Sequence, residues 1–299
     1  MTAPAAQASA RPGPGLRGRL GKALPYLLLA PGLFWLAVFY VLPAIQMFTY
    51  SISTGSVETG YTIDLSGHAY VTALTEFSKQ FINSILYGGI ATILTLIIGF
   101  PVAYTIAFRG GRYKNLILFL VIAPFFTSFL IRTISWKILL GDEGPIFGFL
   151  KHGLGVLPGT FSILGTPVAQ VFGITYNFLP FMILPLYVAL EKIDPRLIEA
   201  GGDLFASPAA TFRRVTLPLA LPGVFAGTLL TFIPAMGDYI NAELLGNPST
   251  RMIGNVIQNR LLVQNDYPVG SALSFILMAG ILIAVAVYAR LLGTEQLTG

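Results

Sequence analysis

The chain has 299 residues, of which 55% are hydrophobic and 10% are charged, and its mean hydropathy is +0.75. Soluble domains carry roughly 25% charged residues, so this composition argues against a soluble domain and predicts several membrane spans. The sequence has no cysteine, which excludes disulfides, zinc–thiolate sites and thiol catalysis. The net charge of +5 gives no reason to invoke nucleic acid, because membrane proteins concentrate basic residues in cytoplasmic loops.

The amino-terminal segment, residues 1–22, is rich in Ala, Pro, Gly and Arg and has no acidic residue, which predicts a disordered basic cytoplasmic tail. A cleaved signal peptide is the alternative. The apolar run that follows is too long for the hydrophobic region of such a peptide, and no small-residue cleavage site closes it. A transmembrane domain is therefore predicted over residues 23–293, with a second cytoplasmic tail at 294–299.

Six stretches are apolar enough to cross a membrane, which takes roughly 20 helical residues. Pro222 and Pro234 interrupt the fifth stretch, and prolines lie in or beside several others. Such breaks are tolerated where neighbouring helices cover the freed carbonyl groups. The predicted spans are about 25–48, 81–108, 115–134, 166–190, 219–238 and 270–292.

The distribution of basic residues predicts that both termini are cytoplasmic. The short segment 109–114 holds three bases and no acid between two apolar runs. With this segment inside, the inside segments contain twelve of the 18 Lys and Arg residues. The segments 51–80, 135–165 and 239–269 then face outward, and their turn residues and amphipathic stretches predict short interfacial helices.

The segment 191–218 between the fourth and fifth spans departs from the surrounding apolar pattern. Asp-Pro at 194–195 and Ser-Pro at 207–208 each place a capping side chain before a proline at the first helical position. Gly-Gly at 201–202 predicts a helix end and a turn between them. The expected structure is a helix, a turn and a second helix at the membrane surface, with Leu-Pro at 217–218 returning the chain to the bilayer.

The string EAGGDLFAS at 199–207, followed by FRRVTLP at 212–218, resembles the EAA loop of binding-protein-dependent ABC permeases. In that family the loop forms a short coupling helix that docks into a groove on the ATP-binding subunit. The resemblance implies that Glu199, Ala200 and Asp203 lie at the docking surface. The residues to which it assigns coupling are Glu199, Ala200, Gly201, Asp203, Leu204, Phe205, Ser207, Pro208, Leu217 and Pro218.

Two positions depart from the family pattern. Gly201 stands where the family usually has a second alanine, and Phe205 stands where it usually has the glycine that makes the turn. Two explanations stay open at this point. The turn has moved upstream to Gly201 and Gly202, or Phe205 serves as an apolar knob. An ordinary amphipathic connector is the alternative to the coupling role itself.

Further motifs resemble the spermidine/putrescine branch of the same family: FLIRT at 129–133, FIPAMGDY at 232–239, MIGNVI at 252–257 and NDYP at 265–268. The resemblance covers about residues 25–292. It implies an all-α, six-span permease of the type I ABC importer (MetI-like) fold that translocates a polyamine. Permeases for iron, thiosulfate and opines share much of this pattern, so another small solute, amino acids included, remains an alternative.

Charged residues near the bilayer are costly and mark functional hypotheses. Asp238 follows the break at Pro234 and Gly237, and a polycation would favour carboxylates and aromatic faces on its path. Capping of a broken helix is the alternative role for Asp238. Arg132 is expected to pair with a carboxylate or to reach the outer surface. The candidate path residues are Asp238, Tyr239, Glu243, Tyr176, Asn177 and Trp136.

The sequence has no G-x-x-x-x-G-K-[ST] motif, so a partner must supply ATP hydrolysis. His68 and His152 are isolated, and no catalytic residue, metal or cofactor is expected. The resemblance implies two ATP-binding subunits, a second homologous permease and an extracytoplasmic solute-binding protein as partners, in the inner membrane. The rival classes are an ion-gradient-driven secondary transporter, which would not need the loop, and a membrane-embedded enzyme, whose nucleophile or metal set the spans lack.

Overall fold

The computed structural model describes residues 16–292. The predicted tail at 294–299, and residues 1–15 of the amino-terminal tail, lie outside this range. The described part is helical apart from one β-hairpin. It divides into two compact units, the first ending at Thr49 and the second beginning at Tyr50.

The first unit is a long helix interrupted by one π turn. α1 (Leu16–Leu36) continues through the turn at Ala37–Val41 into α2 (Leu42–Ser51). The last residues of the predicted tail, 16–22, are therefore helical. The π turn stands just before Pro43, whose ring would meet the carbonyl group four residues back in a regular helix, and the wider turn relieves that clash. The run Leu28–Ser51 is long and apolar enough to be the predicted first span.

A β-hairpin opens the second unit, and the sequence reading missed it. β1 (Ser53–Ser56) pairs antiparallel with β2 (Gly60–Ile63). At Gly55 the backbone has φ of +120°, and a Cβ there would overlap the carbonyl oxygen of Gly60, so only glycine fits. β1 has no apolar residue, and β2 alternates Tyr61 and Ile63 with Gly60 and Thr62 over only four residues, the shortest run that such a pattern can mark.

The remaining helices form the bulk of the second unit. Four continuous helical runs are long and apolar enough to cross a membrane, and they match the predicted second, fourth, fifth and sixth spans. In chain order the helices are α3 (His68–Glu76), α4 (Ser78–Arg109), α5 (Lys114–Ile122), α6 (Phe129–Leu139), α7 (Pro145–Gly148), α8 (Pro167–Glu191), α9 (Pro195–Asp203), α10 (Pro208–Thr211), α11 (Leu217–Met236), α12 (Ile240–Leu245), α13 (Ile253–Leu262) and α14 (Tyr267–Leu292).

The core of the unit lies where α4, α8 and α11 pack together through glycines. Gly99 on α4 and Gly227 on α11 both face Met182 of α8, which is fully buried. A Cβ on Gly223 of α11 would stand 2.8 Å from the carbonyl oxygen of Pro185 on α8. Small residues let membrane helices approach closely, and this close packing replaces the hydrophobic driving force that water would supply.

The predicted third span, 115–134, is not one helix. α5 ends at Ile122, a 3₁₀ turn follows at Ala123–Phe126, and α6 leaves at an angle of 91°. Pro124 supplies no backbone N–H, and Thr127 and the residue after it adopt extended backbone conformations. The described chain therefore has five continuous candidate spans, or six if this bent pair is counted as one.

The short helices expected in the outer segments are present. α7 continues into a π turn at Phe149–Gly153, and α12 and α13 lie between α11 and α14. Lys151 donates a hydrogen bond to Asp142 at 3.1 Å, and this bond holds the pKa of Asp142 below its usual value. Both groups lie in the connection between α6 and α8, which they help to close.

Contacts between the segments that connect the helices fall into two sets, one at each end of the helical unit. The segments predicted to face the same side of the membrane lie at the same end. At one end Lys114 forms an ion pair with Glu191, joining the start of α5 to the end of α8. At the other end the Tyr61 hydroxyl donates to the carbonyl of Asn265 at 3.2 Å, and Asn247 donates to the carbonyl of Gly165. The segment 239–269 thus contacts each of the other two segments predicted to face outward. The cytoplasmic assignment of the first end rests on the basic residues alone.

Candidate functional site

The loop 191–218 has the two predicted helix starts. The Asp194 carboxylate accepts a hydrogen bond from the backbone N–H of Arg196 at 2.9 Å, which caps α9. The Ser207 hydroxyl accepts from the backbone N–H of Ala210 at 3.3 Å, which caps α10. Each capping residue is followed by a proline at the first helical position, where the backbone N–H would have no partner within the helix. The local sequence therefore specifies both helix starts.

The turn of the loop lies at Phe205, not at the glycine pair. α9 runs through Gly201 and Gly202 to Asp203, which corrects the predicted helix end. Phe205 has a φ of 56°, in the left-handed region, and its N–H donates to the carbonyl of Gly202 at 2.9 Å. The phenylalanine therefore makes the turn that a glycine makes in the family pattern.

Gly201 has a packing role instead. A Cβ at this position would stand 2.8 Å from the Oγ1 atom of Thr211 and 2.9 Å from its Cγ2 atom. Thr211 is buried in this contact at the end of α10. The departure from the usual alanine thus brings α9 and α10 into closer contact than an alanine side chain would allow.

One surface of the loop is exposed and carries most of the residues assigned to coupling. Leu204 is 81% exposed and Phe205 is 99% exposed, although both are large and apolar. Glu199 and Asp203, which are four residues apart on α9 and so share one helix face, are exposed as well. The exposed members are Glu199, Ala200, Asp203, Leu204, Phe205, Ser207, Pro208 and Pro218, whereas Gly201 and Leu217 are partly buried.

Leu217 and Pro218 do not begin a separate helix. α10 passes through a π turn at Phe212–Thr216 directly into α11, so Pro208–Met236 is one helical run. As at Pro43, the π turn stands just before the proline and accommodates its ring. The Phe212 ring meets that of Phe100 on α4 edge to face, with centroids 5.5 Å apart. The loop is thus a direct extension of α11 and contacts α4.

Asp238 lies in a buried polar cluster at the far end of α11. Its carboxylate accepts hydrogen bonds from the backbone N–H of Asn241, at 3.0 Å, and from the side-chain amide of the same residue. The Asn241 Oδ1 atom accepts from Asn177 at 3.1 Å and from Thr133 at 3.3 Å. Asp238 is 6% exposed and accepts hydrogen bonds from the first turn of α12, and Asn241 joins that turn to α6 and α8.

The other candidate path residues fall in two different places. Trp136 packs edge to face on Tyr176, with ring centroids 5.1 Å apart, between α6 and α8. Tyr239 and Glu243 line a cavity of about 290 Å³ beside α13, together with Arg251. Of the six candidates, the structure links Asn177 to Asp238 through Asn241, pairs Trp136 with Tyr176, and puts Tyr239 and Glu243 at an open cavity.

Arg132 has neither of its expected surroundings. It is 9% exposed, and within the described residues no carboxylate lies within ion-pair distance of it. Its guanidinium carbon lies 4.9 Å from the Phe125 ring centroid and 5.7 Å from that of Phe129, on either side of the bend between α5 and α6. Aromatic faces thus take the place of the carboxylate or water that the sequence led us to expect.

Sequence reasoning missed the two polar residues that complete the Asp238 cluster, Asn241 and Thr133. Asn241 is three residues after Asp238, the spacing of a helix cap, and that signal was available. Thr133 gives no such signal, because it comes from a helix more than a hundred residues away. Within residues 16–292 no group of three or more His, Cys, Asp and Glu side chains is placed to hold a metal ion.

The fold is that of ABC importer permeases. A chain of a bacterial ABC transporter involved in the import of alginate superposes with a TM-score of 0.77 over 95% of this chain and 99% of its own, at 17% sequence identity. A chain of the MetNI methionine ABC transporter superposes with a TM-score of 0.54 over 73% of this chain and 96% of its own, at 20% identity. These similarities concern the fold alone.

Residues 96–292 match the family of binding-protein-dependent transport system inner membrane components, and this chain belongs to that family. It is 39% identical to the spermidine/putrescine transport system permease protein PotB of Haemophilus influenzae, over 86% of this chain and 90% of that protein. It is 37% identical to PotB of Escherichia coli K12, over 86% and 93%, respectively. The inner membrane ABC transporter permease protein YdcU of E. coli is 32% identical over 89% and 88%.

Proposed function

We propose that this chain is the membrane-spanning permease subunit of an ATP-driven importer that takes up a polyamine such as spermidine or putrescine. The observation that carries the proposal is the 39% identity, over 86% of the chain, to a permease named for spermidine/putrescine transport. The chain itself performs no bond chemistry. Two ATP-binding subunits, a second permease and an extracytoplasmic solute-binding protein complete the proposed assembly.

The proposed mechanism is alternating access driven through the loop 191–218 on the cytoplasmic side. ATP binding closes the ATP-binding subunits, and the docked loop moves with them. Because α10 continues into α11 and Phe212 contacts α4, displacement of the loop is passed to two of the three core helices. Tightly packed helices change between discrete arrangements rather than deforming continuously, so a small movement at the loop can reorient the spans.

The test is uptake by proteoliposomes that contain this permease, its second permease and the ATP-binding subunits, supplied with the solute-binding protein and radiolabelled spermidine. Uptake should require ATP and should persist when ion gradients are collapsed. Uptake that follows an ion gradient without ATP would overturn the importer assignment. ATP-driven uptake of iron, thiosulfate, an opine or an amino acid, and not of spermidine, would overturn the polyamine assignment.

For the substrate path we propose that Glu243 and Tyr239 receive the cation at the outer end of the bundle. Both side chains are exposed at the cavity beside α13, and the Glu243 carboxylate is held by a hydrogen bond from Asn255 at 3.2 Å. A carboxylate beside an aromatic face suits an ammonium group. Asp238 stands behind this surface and supports it, because both of its oxygens are occupied by Asn241.

We expect Glu243→Gln to raise the apparent KM for spermidine about tenfold, the equivalent of losing one charge-assisted contact, and to leave the maximal rate nearly unchanged. The measurement is initial uptake in the same proteoliposomes over a range of solute-binding protein loaded with spermidine. Glu58→Gln is the matched control, since Glu58 is an exposed carboxylate in the β-hairpin and lies outside the cavity. Equal effects of the two substitutions would contradict the assignment.

A further inference from the structure

Phe205 combines a left-handed backbone conformation with an aromatic ring that packs on nothing within residues 16–292. Within residues 16–292 the non-glycine residues with positive φ are Phe205 and Asn265. Asparagine tolerates the left-handed region, but a phenylalanine there is a conformational outlier. The Phe205 side chain is also 99% exposed, so its ring gains no packing in return. A residue that is both strained and unpacked in the isolated chain points to a contact made outside it.

The surrounding loop holds this conformation firmly. The N–H of Ala206 donates to the carbonyl of Gly201 at 3.0 Å, and that of Phe205 donates to Gly202 at 2.9 Å, which together close the end of α9. Gly201 is in turn packed against the buried Thr211 on α10. The turn therefore fixes the direction of the Phe205 Cα–Cβ bond before any partner arrives, which lowers the backbone entropy lost on binding.

We infer that Leu204 and Phe205 form an apolar anchor that inserts into an apolar cavity on the ATP-binding subunit. The inference rests on the proposed function, because it takes the loop 191–218 to be the docking element. It adds that the main contact is an aromatic side chain, at a position where the family pattern has no side chain. Buried aromatic residues surrounded by weaker polar contacts are the usual centres of protein interfaces, and Glu199 and Asp203 provide such polar neighbours.

Insertion of the same ring into the lipid surface is the competing explanation, and the neighbouring charges oppose it. Asp203 precedes the anchor directly and is exposed, and Glu199 is exposed one turn earlier on α9. Dipping Leu204 and Phe205 into the bilayer would carry these carboxylates toward headgroups that are themselves anionic. A protein cavity with a polar or basic rim accommodates both the ring and the carboxylates.

The experiment compares Phe205→Gly, Phe205→Ala and Phe205→Tyr in the purified permease. The probe is the ATP-binding subunit that supports uptake in proteoliposomes. Loss of the ring should weaken its binding about 30-fold in both the glycine and the alanine variants, whereas Phe205→Tyr should bind within a few-fold of the unmodified chain. Phe205→Gly should also melt about 2–4 °C above Phe205→Ala, because only glycine relieves the backbone strain.

Two further measurements separate the possible failures. A cysteine placed at Ala200, the only thiol in the chain, should crosslink to the ATP-binding subunit. If the cysteine at Ala200 crosslinks but Phe205→Gly and Phe205→Ala bind the ATP-binding subunit as tightly as the unmodified chain, the anchor is overturned and the docking role of the loop remains. Failure of the crosslink would overturn the docking role and the anchor with it. Quenching of Phe205→Trp emission by brominated lipids, above that of the two native tryptophans, would place the ring in the bilayer and overturn the anchor.

Discussion

Glu199→Lys should separate ATP hydrolysis from uptake in the reconstituted importer. Glu199 is exposed on α9, beside Asp203 and one turn before the anchor of Leu204 and Phe205. The two surfaces of an interface have complementary electrostatic potentials, and placing like charges opposite each other costs several kcal/mol. A loss of about 1.4 kcal/mol already weakens binding tenfold. We therefore expect spermidine uptake to fall at least about tenfold while the ATP-binding subunits retain most of their hydrolysis.

The measurement is the ratio of spermidine taken up to phosphate released in the same proteoliposomes. Glu58→Lys is the control, since it makes the same change of charge in the connection between β1 and β2, at the opposite end of the unit. It should leave the ratio unchanged. Normal coupling in Glu199→Lys would remove Glu199 from the docking role, whatever the outcome for Phe205.

The end of the loop 191–218 continues into α11 without an irregular segment, as the proposed coupling role requires. The Leu-Pro pair at 217–218 resembled the start of a new span, yet the structure continues the helix from Pro208 to Met236 through a π turn. A force on α10 therefore acts on α11 along its axis. The contact between Phe212 and Phe100 adds a lateral path to α4. Both features depend on the backbone geometry around Pro218. The sequence shows where this proline is, but it does not show whether the helix continues past it through a π turn.

The elements best predicted from the sequence were those with strong local signals. Long apolar runs located five of the six spans, and the Asp-Pro and Ser-Pro pairs located the starts of α9 and α10. The bend at Pro124 was missed because prolines occur in most spans of this chain, and only the packing around each decides whether the helix breaks. Pro185, for example, lies inside the continuous helix α8.

The site was predictable only in part, for a related reason. Family resemblance assigned coupling to residues of the loop, which stays a prediction, and it could not choose between Gly201–Gly202 and Phe205 for the turn. In the structure α9 continues through Gly201, which packs against Thr211 of the next helix, and the turn falls at Phe205. Similarly, Asp238 was singled out by its charge, but Asn177 and Thr133, which bond to its partner Asn241, come from α8 and α6. Contacts between distant segments leave no local pattern to recognise.

Gly223→Ala should destabilise the permease although it adds a single methyl group. Alanine normally favours a helix over glycine by up to about 1 kcal/mol. At Gly223, however, the new Cβ would stand 2.8 Å from the carbonyl oxygen of Pro185 and would also crowd the Ala189 side chain on α8. Because backbone cannot move aside without separating α8 from α11, we expect a net loss of about 1–3 kcal/mol, the usual cost of overpacking.

Gly89→Ala on α4 is the matched control, because a Cβ at that position meets nothing within 4 Å. The same methyl group should there leave the melting temperature of the detergent-solubilised permease unchanged or slightly raised, as helix propensity alone requires. The difference between the two variants isolates the close contact of α8 with α11. Since α11 continues from the loop to which we assign coupling, Gly223→Ala should also lower uptake by more than the fraction of permease that it unfolds. Equal melting temperatures for the two variants would show that these helices pack less tightly than described.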